Sequence, residues 1–195
     1  METKEIKITV PTQWSGITLR EYLAFQKDIE VYGEEESGYI ACLLHHFCKV
    51  PVDILTQLDT DMYVDIKNDL VGFIGNTELP LQRIIKIDGV EYGFEPNLSK
   101  IAYGAYLDIT KYDTLTIDEN WAKIMSILYR PIKKKSGALY DIESYKGIEN
   151  GELFQNVGMD VHFGTMHFFL TLLQGLQNYI LNSLRMEKEQ VPNIS

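Results

Sequence analysis

The sequence predicts an α+β fold, predominantly helical: a helical bundle around a long C-terminal helix, with a small antiparallel β-hairpin sheet beside it. Three observations carry this. First, the last apolar run, Asp160 to about Lys188, sets Phe163, Met166, Phe169, Leu170, Leu173, Leu176, Ile180 and Leu184 at steps of three and four. That spacing is the mark of an amphipathic helix with a broad buried stripe. At about 1.5 Å per residue it reaches roughly 40 Å, close to the width of a domain this size, so it reads as the spine of one core. Second, two apolar-rich runs from Arg83 to Phe94 flank Asp88-Gly89. A type I′ hairpin turn demands that pair, because both residues accept positive φ. Third, several shorter apolar stretches repeat with helical period behind polar caps.

In chain order, Lys4 to Val10 alternates Ile6, Ile8 and Val10 with polar residues, a half-buried strand ended by Pro11. Thr18-Leu19-Arg20-Glu21 fits a capping box and opens a helix that runs to the acidic loop around Gly33 to Glu36. Ser37 to Lys49 is a compact apolar helix stopped ahead of Pro51, and Pro51 starts a brief turn through Leu58. Thr60 to Ile74 reads as a helix with Met62, Ile66, Leu70 and Phe73 inside and Asp61, Asp65 and Asp69 outside, closed by Gly75-Asn76. After the hairpin, Ala105 to Ile109 is a candidate strand. Asp118 to Tyr129 is a helix with acids in its first turn, where they suit the helix dipole, and Pro131 stops it. Lys133 to Lys135 with Ser136-Gly137 reads as an exposed loop, Tyr140 to Lys146 is ambiguous, and Gly151 to Val157 supplies a helical turn or two before the spine. No internal repeat or low-complexity linker divides residues 1–195, which form a single domain.

Charge and composition narrow the function. Lys plus Arg total 18 against 28 Asp plus Glu, a formal charge of -10. A general nucleic-acid binder needs a basic face to neutralise phosphates, so this balance speaks against one. The start of the chain carries charges where a secretory signal needs an apolar segment. His167, Gln174, Gln177, Asn178 and Asn182 interrupt the spine, which makes it a poor membrane span. Cys42 and Cys48 make no disulfide framework: on one helix they would lie about 9 Å apart along its axis, too far to bridge. A reducing cytoplasm is the natural place of synthesis.

No Gx(4)GK[ST], GxSxG, HExxH or GxGxxG spacing occurs, and no cofactor is expected. Cys42, His45, His46 and Cys48 invite a zinc reading, but Cys48 falls on another helix face and no second pair completes a tetrahedron. Asp61, Asp65 and Asp69 share one face at i, i+4 spacing. They motivate an alternative, a small metal-dependent enzyme or nuclease, although a solvated face explains them more simply. The basic patch of Arg130 with Lys133, Lys134 and Lys135 suits an acidic partner surface, with nucleic-acid contact the less favoured choice. Tyr92, Phe94, Tyr103, Tyr106, Tyr112 and Trp121 crowd the centre of the chain, and such rings serve cores and interfaces equally. The candidate interaction residues are Trp121, Tyr129, Arg130, Lys133, Lys134, Lys135 and Phe168. Phe168 is included because it adjoins the core-series Phe169 and cannot face the same way.

The ordered features also carry a family resemblance. They are TLREYLAF (Thr18 to Phe25), a second apolar helix, VEYGFEP (Val90 to Pro96) after the Asp-Gly turn, YLDI (Tyr106 to Ile109), NWAKIMSILYRPI (Asn120 to Ile132) and MHFFLTLLQ (Met166 to Gln174). Together they resemble the small virion-associated cargo and tail-assembly proteins of tailed bacteriophages, most like those of the crAss-like phages. The resemblance spans most of the chain, and Leu128-Tyr129-Arg130-Pro131 is its most distinctive piece. It implies a non-enzymatic structural or cargo protein of the portal or tail interior, made in the host cytoplasm. Its partners would be portal, ring or tail proteins in a symmetric oligomeric assembly; a non-virion tail-assembly chaperone is the alternative. It implies no catalytic residue.

Overall fold

A computed structural model describes residues 8–149 and 151–189, with side chains described through Leu181. Of the strand expected over Lys4 to Val10, residues 4–7 lie outside the described residues, and residues 8–10 adopt no regular element. A single 3-10 turn, Trp14–Gly16, leads into α1 (Leu19–Tyr32). The capping box is formed: the Glu21 N–H donates to Thr18 Oγ1 at 3.3 Å, and the Thr18 N–H donates to the Glu21 carboxylate at 2.8 Å. This corner also ties the two ends of the fold together. The Met159 N–H donates to the Ile17 carbonyl at 2.8 Å and the Leu19 N–H to the Val157 carbonyl at 3.1 Å.

α2 (Glu36–Phe47) packs on α1, with the Phe25 and Phe47 rings 4.8 Å apart, and one turn of α3 (Val52–Leu55) follows Pro51. α4 (Thr60–Ile74) starts at Asp59, whose side chain accepts the Met62 N–H at 2.8 Å. It buries Ile66 and Leu70 alone. Met62, expected inside, is exposed, while its neighbour Tyr63 and, at the other end, Phe73 and Ile74 pack half-buried against the core.

The hairpin forms as the Asp-Gly pair predicts. β1 (Ile84–Ile87) and β2 (Val90–Phe94) pair antiparallel across Asp88 at φ 49° and Gly89 at φ 84°. Two expectations fail next. Residues Ala105 to Ile109 are no strand but part of α5 (Tyr103–Ile109), and the strand that pairs with β2 on its second side comes later in the chain. The helix predicted over Asp118 to Tyr129 is α6 (Trp121–Leu128), and Pro131 does not stop it. The chain passes without a loop from Leu128 into β3 (Tyr129–Ser136).

Pro131 therefore sits inside a strand, beside a register shift between Ile132 and Lys134 where the ladder tolerates a missing N–H. The predicted Lys133–Lys135 loop is the far end of β3, paired with β4 (Leu139–Ile142) in a second hairpin. Strand order is β1-β2-β3-β4, all antiparallel, with α5 and α6 inserted between the hairpins. α7 (Gly151–Phe154) and α8 (Met159–Glu189) complete an α+β molecule built around the long C-terminal helix. Within α6 every residue except Lys123 is buried, so the core lies under α6 with the sheet and the first turns of α8 around it.

Candidate interaction surface

α8 divides into two parts with different surroundings. Val161 to Thr165 are all buried, and Phe163 meets Trp14 edge-on with centroids 4.7 Å apart. Gly164 lies against the chain at Pro80 so closely that an added Cβ would sit 2.5 Å from the Pro80 carbonyl oxygen, which excludes any other residue without a shift. Met166 to Leu170 are half-buried. From Thr171 to Leu181 every residue is exposed. The spine expectation is corrected here. Leu173, Leu176 and Ile180, placed by periodicity in the core, are 38%, 53% and 55% exposed, and Leu172 and Leu181 are exposed with them. The Leu184 side chain lies outside the described residues.

The candidate residues fall into three groups, buried, half-buried and exposed. Trp121 is fully buried and donates its indole N–H to His162 Nδ1 at 3.2 Å. Tyr129 is also buried, donating its hydroxyl to the Gln82 carbonyl at 2.7 Å, and burial pushes its phenol well above the usual value. Arg130 is buried and paired with the equally buried Glu95. None of the three can meet a partner without unfolding the core, because α6 and the start of β3 run through its middle. Phe168 is half-buried, edge-on to Phe94 at 5.5 Å and to Phe169 at 5.6 Å. The expected contrast with Phe169 is absent: both rings pack on the rim of the core. Only Lys133, Lys134 and Lys135 are exposed as expected, and Lys135 is held by Glu91 at 2.9 Å.

The other polar features are interior or dispersed. Because His162 accepts at Nδ1, its proton is on Nε2, which is buried and unpaired. Loss of solvent lowers its pKa to about 4, against a weaker opposing pull from the nearby Phe154 and Val157 carbonyls. Arg130 Nε and Nη1 are likewise buried and unpaired beside a cavity of about 40 Å³ lined by Ser126, Tyr129, Glu143 and Tyr145. A cavity of that size has room for a few waters. His46 pairs with Asp28 at 2.7 Å, and His45 Nδ1 hydrogen-bonds with the Val50 carbonyl at 2.9 Å. Cys42 and Cys48 are free and buried, and burial raises the Cys48 thiol to about 11, where it is a poor nucleophile and ligand. Asp61, Asp65 and Asp69 stay exposed on α4. Among the described residues, no group of three or more His, Cys, Asp or Glu could hold a metal ion, and no helix is long and apolar enough to cross a membrane.

What the surface offers chemically is therefore the outer part of α8. Residues 161–184 contain no Asp, Glu, Lys or Arg. At about 100° per residue, Leu172, Leu173, Leu176, Tyr179, Ile180 and Leu181 span roughly 200° of the helix surface, and Gln174 and Asn178 lie outside that arc. Periodicity alone missed this surface, since an exposed Leu173 and a buried Phe163 obey the same spacing. The one sequence signal that could have found it is the length of the uncharged run. Comparison with protein-family models, characterised proteins and solved structures finds no match to this chain.

Proposed function

We propose that the chain is a virion-associated structural or cargo protein of the portal or tail region of a tailed bacteriophage. It would act by protein–protein contact, with the outer part of α8 as its contact element. The observation that carries the contact role is the eleven-residue stretch from Thr171 to Leu181, helical, uncharged and exposed on every side. Left in water, such a stretch is a liability. Gly175 in its middle weakens the helix there by about 1 kcal/mol relative to alanine. Covering a half-exposed Leu or Ile contributes about 1 kcal/mol, so the five in this stretch amount to a useful docking energy. Lys133 and Lys134, exposed on the β3–β4 hairpin, provide a second and basic contact for an acidic partner. The phage assignment itself rests on the sequence resemblance, and portal, ring or tail proteins are the partners it points to.

Quantitative mass spectrometry of purified particles and of infected-cell extracts tests this reading. Many copies in the particle mark a packaged structural component. Recovery only in extracts, bound to tail proteins, marks an assembly chaperone. Absence from particles and from every tail or portal complex sinks the proposal.

A further inference from the structure

We propose that the outer part of α8 docks against the same helix of other copies of this chain, giving a homo-oligomer of more than two protomers. This deepens the reading of α8 as a contact element and rests on it. Three observations favour a like copy as the occupant. The exposed Leu173, Leu176 and Ile180 continue, at steps of four, three and four, the a/d repeat that Met166 and Phe169 begin on the rim of the core, the spacing of a helix that packs along another helix.

The second observation is electrostatic. The chain carries a formal charge of -10, so most faces of one copy repel most faces of another. Residues 161–184 carry none of that charge. The helix beyond Leu170 also extends for 19 residues, roughly 28 Å, or nearly three screening lengths at about 0.1 M salt. It can bring copies together while holding their acidic bodies apart. A strongly charged partner would find nothing between residues 161 and 184 to pair with.

The third observation sets the number. A two-helix seam covers the narrow a/d stripe, whereas the exposed apolar arc here spans roughly 200° and is broken only by Gln177. Two copies would leave Leu172 and Leu181 in water. Three or more helices cover them.

The test is sedimentation velocity with light scattering on the full chain, from micromolar to near-millimolar concentration. Wild type is expected to reach a mass of at least three 22.4 kDa protomers. The triple variant Leu173→Glu, Leu176→Glu, Ile180→Glu should stay monomeric with an unchanged near-UV spectrum, because these side chains are outside the core. Thr171→Glu with Asn178→Glu, on the opposite face, should keep the wild-type mass. A wild type that stays monomeric or dimeric across the range overturns the proposal, as does a triple variant with wild-type mass.

Particle incorporation of the same triple variant separates this inference from the broader reading. A monomeric wild type whose triple variant is lost from particles leaves α8 as a docking helix for a different partner and removes self-association. An oligomeric wild type whose monomeric triple variant still enters particles supports self-association and removes α8 from particle docking.

Discussion

At residue scale the fold holds two polar groups in places where water would serve them better. Neutral His162 accepts the Trp121 indole N–H and is fully buried, with its pKa lowered from 6.5 to about 4 by desolvation. A base that the fold keeps neutral contributes stability above its unfolded pKa and loses it as pH falls toward its folded one. The window is thus pH 6.5 down to about 4, and at about 1.4 kcal/mol per unit the loss is about 3 kcal/mol. Asp108 and Asp113, held low by hydrogen bonds and in the case of Asp108 also by the Lys111 charge, lose their share only at still lower pH. Denaturant titrations from pH 7 to 4 should therefore show stability falling in wild type and nearly level in His162→Gln. The buried Arg130–Glu95 pair gives a second prediction. Glu95→Ala leaves a guanidinium in the core without its counter-charge and should cost about 3–5 kcal/mol in urea unfolding. The double change Glu95→Leu, Arg130→Met removes both charges and should recover most of that loss.

At the scale of elements, close approach decides more than propensity does. Gly164→Ala adds helix propensity yet drives a methyl into the Pro80 carbonyl, so the variant should unfold about 1–3 kcal/mol more easily; Gly175→Ala, with open space around it, should stabilise α8 by a few tenths to about 1 kcal/mol. Thermal melts of the pair give opposite signs if the packing is as described. The same distinction explains which elements were legible from sequence. Thr18 with Glu21, and Asp88 with Gly89, are local signals whose chemistry acts within four residues, and both produced the expected element. Whether Ala105–Ile109 becomes a strand depends on distant pairing partners, and β2 is paired with β1 and β3 instead. Whether Pro131 ends a helix or lies in a strand depends on β2 and β4 flanking it. Trp121 and Tyr129 were legible as important aromatics, but ring chemistry is the same in a core and at an interface. Only their position in α6 and β3 decides that. The lysines of β3 were readable because a run of three cations has no interior to occupy.

For the whole molecule, the uneven distribution of charge is the property that ties architecture to assembly. An acidic body and a neutral projecting helix predict that association responds to salt with a definite sign. Binding driven by opposite charges, whether to nucleic acid or to a basic protein face, weakens as salt rises, because screening removes the attraction and fewer counterions are released. Contact through α8 has no charges to screen at the interface, while the bodies it gathers repel one another. Added salt shortens the screening length from about 10 Å at 0.1 M to about 3 Å at 1 M and so relieves that repulsion. Self-association measured by sedimentation should therefore tighten severalfold between low and high sodium chloride. The melting temperature of wild type should rise with protein concentration, since oligomer formation stabilises the folded chain by mass action, and that of the Leu173, Leu176, Ile180 triple glutamate variant should not. A self-association that weakens steeply with salt would shift the contact to the exposed Lys133 and Lys134 on β3, and Lys133→Glu with Lys134→Glu should then leave the protein monomeric.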